Sequence, residues 1–208
     1  MLVDTINICL MLSIMFAMSL KNKIRSGNFT LGSWITLAHP AIPEIMANAG
    51  FEWLVVDLEH SSITIREAEE LIRIISLSNS SPLVRLTSNN TEQIKRVMDA
   101  GAHGIIVPNT ISLEDVKYSV DALKYPPEGK RGGGLARAQK YGRGFEDYLE
   151  WQKDSTILVI QIENVEAIDN LDEIFKSGFI DAFIIGPYDL SASMGIAGQF
   201  DHPEFIAT

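Results

Sequence analysis

"NAGFEWLVVDLEH", residues 48–60, decides the fold. Its first residues end a helical pattern in Ala49-Gly50, and glycine stops a helix at little cost because it tolerates the left-handed conformation. Trp53–Leu58 then runs nearly continuously apolar, as a strand buried on both faces of a parallel sheet does. Three ionisable residues, Asp57, Glu59 and His60, arrive where the strand finishes. The same punctuation recurs before later strands, in "DAGAHGIIV" (99–107) and "KSGFIDAFII" (176–185). Gly50 and Gly101 lie 51 residues apart, which is two βα units of about 25 residues each. Gly101 and Gly178 lie 77 apart, leaving about 26 residues beyond two such units. That surplus falls in Tyr125–Trp151, a Gly-, Pro- and Arg-rich stretch, and long insertions of this kind tend to be functional loops.

The spacing predicts strands over Leu31–Thr36, Trp53–Leu58, Leu83–Leu86, Gly104–Pro108, Ile157–Ile162 and Ala182–Ile185. Amphipathic helices are predicted over Thr64–Leu77, Thr91–Ala100, Leu113–Leu123 and Val165–Phe175. A βαβα succession of this kind is an α/β fold with a parallel sheet. A closed (β/α)8 (TIM) barrel needs eight strands and usually about 250 residues, whereas six units are visible before Thr208. The expected architecture is therefore a TIM barrel truncated after its sixth βα unit, with an open sheet as the alternative.

The 208 residues carry a formal charge of −10, which disfavours a grip on nucleic acid or anionic lipid. One cysteine, Cys9, excludes an intrachain disulfide framework and a Cys-rich zinc site, pointing to a reducing, cytoplasmic setting. The apolar run Ile6–Met18 is too short to span a bilayer. Asp4 precedes it and Lys21, Lys23 and Arg25 follow it, the wrong polarity for a secretory signal. Residues 1–17 therefore read as an extension from an early start codon, with Met18 opening the barrel domain that runs to residue 208.

Ionisable groups gather at the carboxyl ends of the predicted strands, the end at which barrel active sites form. Glu163 and Asp189 follow adjacent strands, and two carboxylates without Cys or His partners suit a hard divalent cation. Read singly, Glu163 is equally an acid favouring the next helix dipole and Asp189 a helix cap. Asp57 stands three residues before His60, where a carboxylate orients an imidazole as a general base, although a solvated loop histidine fits as well. Arg85 ends an apolar strand, where a cation calls for an anion or a structural ion pair. Metal, base and cation at one mouth suit proton transfer beside a carbonyl, with an enolate oxygen held electrostatically.

The stretches "FEWLVVDLEH", "PLVRLT", "QIKRVMDAG", "YPPEGKRG", "LVIQIEN" and "GPYDLSASMGIAGQFDHPE" resemble, in order and spacing, the HpcH/HpaI aldolases. This resemblance implies a (β/α)8 barrel in a homo-oligomer, a hexamer among the options, acting on a small 2-oxo acid. It implies Glu163 and Asp189 as ligands of Mg2+ or Mn2+, with Co2+ a further candidate. Gln161, Gly186, Pro187, Tyr188, Asp189 and Arg131 would receive substrate. His60 would be the base, Asp57 its partner, Arg85 the transition-state stabiliser, and Asp99 a residue raising the basicity of the histidine. Asp99 sits in a last helical turn, where its charge opposes the macrodipole and helix stability does not explain it. Leu58 departs from the glycine common in the family, which questions the shape of that loop.

The expected activity is reversible cleavage of a 4-hydroxy-2-oxo acid to pyruvate and an aldehyde. Alternatives are a citrate lyase β-like acyl-CoA lyase on the same barrel, or a non-catalytic, incomplete gene product.

Overall fold

The computed structural model describes residues 18–208; the expected extension at 1–17 lies outside them. Strands β1 (Gly32–Ile35), β2 (Trp53–Asp57), β3 (Ser81–Arg85), β4 (Gly104–Val107), β5 (Ile157–Ile162) and β6 (Ala182–Ile185) form one sheet. They pair in chain order and all in parallel. Helices α1 (Leu20–Arg25), α2 (Ala41–Asn48), α3 (Ile65–Leu77), α4 (Thr91–Ala100) and α5 (Leu113–Leu123) precede the long connection to β5. Helices α6 (Phe145–Ser155), α7 (Val165–Ile168), α8 (Leu171–Lys176), α9 (Pro187–Ser193) and α10 (Pro203–Ala207) complete the chain. This is a curled six-stranded α/β sheet of the TIM-barrel type. Among the described residues no helix is long and apolar enough to cross a membrane.

Local chemistry sets these boundaries. The Thr64 hydroxyl and the Glu67 carboxylate satisfy each other's backbone N–H groups at the start of α3, and Ser112 and Asp115 do the same for α5. Gly50, Gly101 and Gly178, the repeated punctuation marks, have φ of 98°, 105° and 71°. A side chain would be strained at each. Two expectations are corrected. The stretch Val165–Phe175 is not one helix but α7 and α8, separated at Asp169-Asn170, where the Asn170 amide donates to the Ile111 and Glu166 carbonyls. The end of Tyr125–Trp151 is not loop: from Phe145 it is α6, with Tyr148 and Gln152 on its buried face.

The continuous apolar runs reflect two cores. Leu54, Val56, Val84, Ile105, Val107, Leu158 and Ile160 face the helices, while Val55, Leu83, Ile106, Ile157 and Val159 face the barrel interior with Leu20. Each side chain fully removed from water contributes about 1.5–3 kcal/mol. Successive side chains of a strand point to opposite faces, so alternation also sets which polar residues turn inward. Asp57 is two residues after Val55, Arg85 two after Leu83, and Gln161 and Glu163 two and four after Val159. All four continue the inward series to the rim where the strands end.

The opposite pole is plugged by α1, whose Leu20 joins the interior cluster. Asp181, its side chain fully buried, fastens this plug. It pairs with Lys21 Nζ at 3.2 Å and Arg25 Nε at 2.5 Å, and accepts the Leu158 N–H at 2.9 Å. Asp181→Ala is expected to lower unfolding free energy by about 1–3 kcal/mol, because the Leu158 N–H loses its acceptor while both cations retain some access to water. Denaturant titration measures this, and Asp181→Asn, which keeps one acceptor oxygen for the Leu158 N–H, should lose less.

Candidate active site

The centre of the rim is an ion pair between adjacent strands. Asp57 and Arg85 are directly opposed in the β2–β3 register. Arg85 Nε donates to Asp57 Oδ1 at 2.9 Å and Nη2 to Oδ2 at 2.6 Å, a bidentate fork. Arg85 Nη1 lies 3.2 Å from Glu59 Oε2, and the guanidinium sits 4.6 Å from the centroid of the Trp34 ring. Burial opposes the charge on Asp57. The Arg85 hydrogen bonds and the N–H groups of His60 and Glu59 outweigh it and hold the carboxyl below its ordinary range. Glu59 is pushed up, by burial first and by the negative Glu163 nearby, against the pull of Arg85.

One expectation changes here. Asp57 does not orient the His60 imidazole; its Oδ1 takes the backbone N–H of Glu59 at 3.0 Å and of His60 at 3.3 Å. The carboxylate is already engaged by Arg85, so it shapes the turn and leaves the ring free. The imidazole is two-thirds exposed, with Nε2 3.9 Å from Glu59 Oε2. Leu58, buried among the outward-facing core residues, presents no side chain to the rim.

Glu163 follows β5 and is 8% exposed. Its Oε1 accepts the Asn109 N–H at 2.6 Å and its Oε2 accepts from the Gln161 amide. Asn109 aims that N–H from a left-handed turn, φ 46°, a conformation asparagine visits more readily than most residues. On the neighbouring strand, Gly186 follows β6 with its N–H on the Ile162 carbonyl. A Cβ on Gly186 would come within 2.9 Å of Glu163 Cβ and Oε2, so glycine is what lets this backbone lie against the carboxylate. Gly186 caps α9, Pro187 and Tyr188 follow, and Asp189 stands third in the first turn. Asp189 is therefore not the helix cap, and its exposed carboxylate takes no hydrogen bond among the described residues.

The remaining expected residues, Asp99 and Arg131, are at the other pole. Asp99 lies in the last turn of α4, before β4 begins, and Arg131 follows α5. The fully buried Arg131 side chain donates from Nη2 to Asp99 Oδ1 at 2.5 Å and from Nη1 to the Tyr148 hydroxyl at 2.9 Å. Within this chain neither residue reaches the rim that carries His60. A cavity of about 880 Å3 also lies at that far pole. Gly101, His103, Arg137, Tyr141 and Trp151 help to line it, and it contains none of the rim carboxylates.

Three participants went unassigned in the sequence reading: Glu59, Asn109 and Trp34. Parity alone could have found Trp34, which pairs with Val55 and so shares its inward face.

The rim suits a hard divalent cation. Its carboxylates and amide offer oxygen donors, Gln161 Oε1 is buried without a partner, and Glu163 adds to the cost of ionising Glu59, which a cation would relieve.

A profile of the family described as HpcH/HpaI aldolase/citrate lyase matches residues 30–208. The 2-keto-3-deoxy-L-rhamnonate aldolase of Escherichia coli K12 is 37% identical over 186 residues, spanning 88% of this chain and 69% of that protein. The hydroxypyruvate/pyruvate aldolase of Roseobacter denitrificans is 38% identical over 190 residues, spanning 90% and 74%. The crystal structure of an HpcH/HpaI aldolase from Desulfitobacterium hafniense superposes with a TM-score of 0.81 at 33% identity, covering 92% of this chain and 74% of the other. With profile, relatives and fold in accord, the chain belongs to the HpcH/HpaI aldolase/citrate lyase family of carbon–carbon lyases.

Proposed function

We propose that this chain is a divalent-metal-dependent pyruvate aldolase that reversibly cleaves a 4-hydroxy-2-oxo acid to pyruvate and an aldehyde. The observation that carries this reading is the inward series itself: Asp57, Arg85, Gln161 and Glu163 meet one rim, with the unpaired Asp189 and the free His60 ring beside them. Glu163 and Asp189 would hold Mg2+ or Mn2+, a Lewis acid for the 2-oxo group.

The chain's own groups divide the rest. Backbone N–H groups of Tyr188 and Asp189, in the first turn of α9, have no helical acceptor and suit the substrate carboxylate. The turn Gly186-Pro187 leaves that approach open, and Gln161 Oε1 offers an acceptor. His60 takes the proton of the C4 hydroxyl as the C3–C4 bond breaks, and its exposed ring is free to do so. The bonding pair passes to C3 and onto the 2-oxo oxygen, giving an enolate. Arg85 stabilises that oxygen, and a proton delivered to C3 completes pyruvate. Of the five guanidinium N–H groups, Asp57 accepts two, leaving one on Nη2 and two on Nη1, beside Glu59, for an oxyanion.

The test is pyruvate release from a series of 2-keto-3-deoxy sugar acids, before and after EDTA. Chelation should abolish release and Mg2+ or Mn2+ should restore it; release indifferent to EDTA would sink the reading.

A further inference from the structure

The Arg85 guanidinium is fixed in its own plane by carboxylates and across that plane by an aromatic ring. Asp57 grips its Nε–Nη2 edge at 2.9 and 2.6 Å, and Glu59 lies 3.2 Å from Nη1. In-plane partners alone leave a planar cation able to rock and leave both its faces open to water. Trp34, the inward residue of β1, closes one face, with Arg85 Cζ 4.6 Å from its ring centroid. The Arg85 side chain is only 14% exposed, and attraction between a cation and an indole face strengthens as water is withdrawn. Trp34 itself remains 37% exposed, so burial of the ring in a core does not account for its place. Its position instead completes a three-sided clamp whose open side carries the unengaged Nη N–H groups.

We propose that Trp34 is a positioning residue for Arg85: the electron-rich indole face holds the guanidinium plane so that its free N–H groups meet the enolate oxygen at a set angle. This rests on the aldolase reading, in which Arg85 stabilises that oxygen. Trp34 acts through charge attraction to the guanidinium, not through its bulk. Lowering the electron density of the ring at constant size should therefore slow enolisation.

The experiment follows exchange of the pyruvate methyl protons for deuterium by NMR, with the full chain and Mg2+. Tryptophan is replaced biosynthetically by 5-fluoro- and then 5,7-difluorotryptophan, which preserve ring shape and weaken the negative face. The exchange kcat should fall stepwise, about threefold overall, with KM for pyruvate unchanged. Trp34→Leu should fall about three- to thirtyfold, with Trp34→Phe between it and the native chain. Fluorination also labels Trp53 and Trp151, so the same analogues in Trp34→Phe provide the control and should leave exchange unchanged. A rate indifferent to fluorination, or an equal fall in the control, overturns the assignment. Arg85→Lys separates the two levels. If it leaves exchange unchanged, the enolate reading itself fails. If it slows exchange while fluorination does not, only the role of Trp34 fails.

Discussion

Replacing Arg131 by alanine is expected to lower unfolding free energy by about 3–5 kcal/mol, because it breaks a buried ion pair by removing one partner. The Arg131 side chain is fully buried, and Asp99 is 21% exposed. Burial opposes the cation, yet Tyr148 and Asp99 raise its pKa above the ordinary range. The guanidinium also lies over Tyr125, 4.7 Å from its centroid, and 5.5 Å from that of Tyr148. Alanine would leave Asp99 with the Gln139 amide at 3.3 Å as its remaining side-chain donor, and the Tyr148 hydroxyl with a long contact to the Met98 carbonyl. The truncated side chain would leave a cavity as well, which adds to the loss. Arg131→Lys retains charge but not the fork or the flat stacking face, so it should recover only part of the difference. Denaturant titration gives the stability, and steady-state assay of the folded fraction gives KM. A large stability loss with unchanged KM marks Arg131 as a fold lock. An unchanged denaturation midpoint with raised KM would return it to the substrate.

That pair shows why some of the site was legible in the sequence and some was not. All six strands fall within two residues of the predicted runs, and left-handed glycines precede β2, β4 and β6, since both signals are local. The inward placement of Asp57, Arg85, Gln161 and Glu163 comes from strand alternation once one interior residue per strand is known. Partnership is another matter. Proximity in sequence pairs Asp57 with His60, but parallel register opposes Asp57 to Arg85, and a bidentate guanidinium outcompetes an imidazole. Asp99 and Arg131 are joined across 32 residues by the course of a long connection, which no periodicity reports. Helix α6 was hidden for a related reason: its buried face is made of Tyr148 and Gln152, and the adjoining Gly- and Arg-rich segment dominates the composition. Trp34 reads as an ordinary strand aromatic until a cation from two strands away is seen against its ring.

Glu163→Gln should separate chemistry from folding most cleanly, reducing pyruvate release by about 10^2- to 10^3-fold or more while leaving thermal stability near that of the native chain. The activity loss follows from the proposed ligand set, in which Glu163 supplies one of two carboxylates and an amide oxygen carries no net charge for a divalent cation. The stability argument is specific to this site. Glutamine at 163 keeps an oxygen for the Asn109 N–H, now at 2.6 Å from Oε1. Its new NH2 group would face the Gln161 NH2 that currently donates to Oε2, an arrangement with two donors and no acceptor. Gln161 resolves this by turning its amide over, because its own Oε1 is buried and without a partner. The flip makes one hydrogen bond in place of another and relieves the like-charge pressure that Glu163 places on Glu59. A midpoint equal to or slightly above the native value is therefore expected in a thermal melt without added metal. Mg2+ or Mn2+ should raise the melt of the native chain, as any ligand that binds only the folded state does, and should raise that of Glu163→Gln far less. Full activity in Glu163→Gln, or the same metal-induced shift as the native chain, would remove Glu163 from the metal site and with it the reading of Asp189 as its partner.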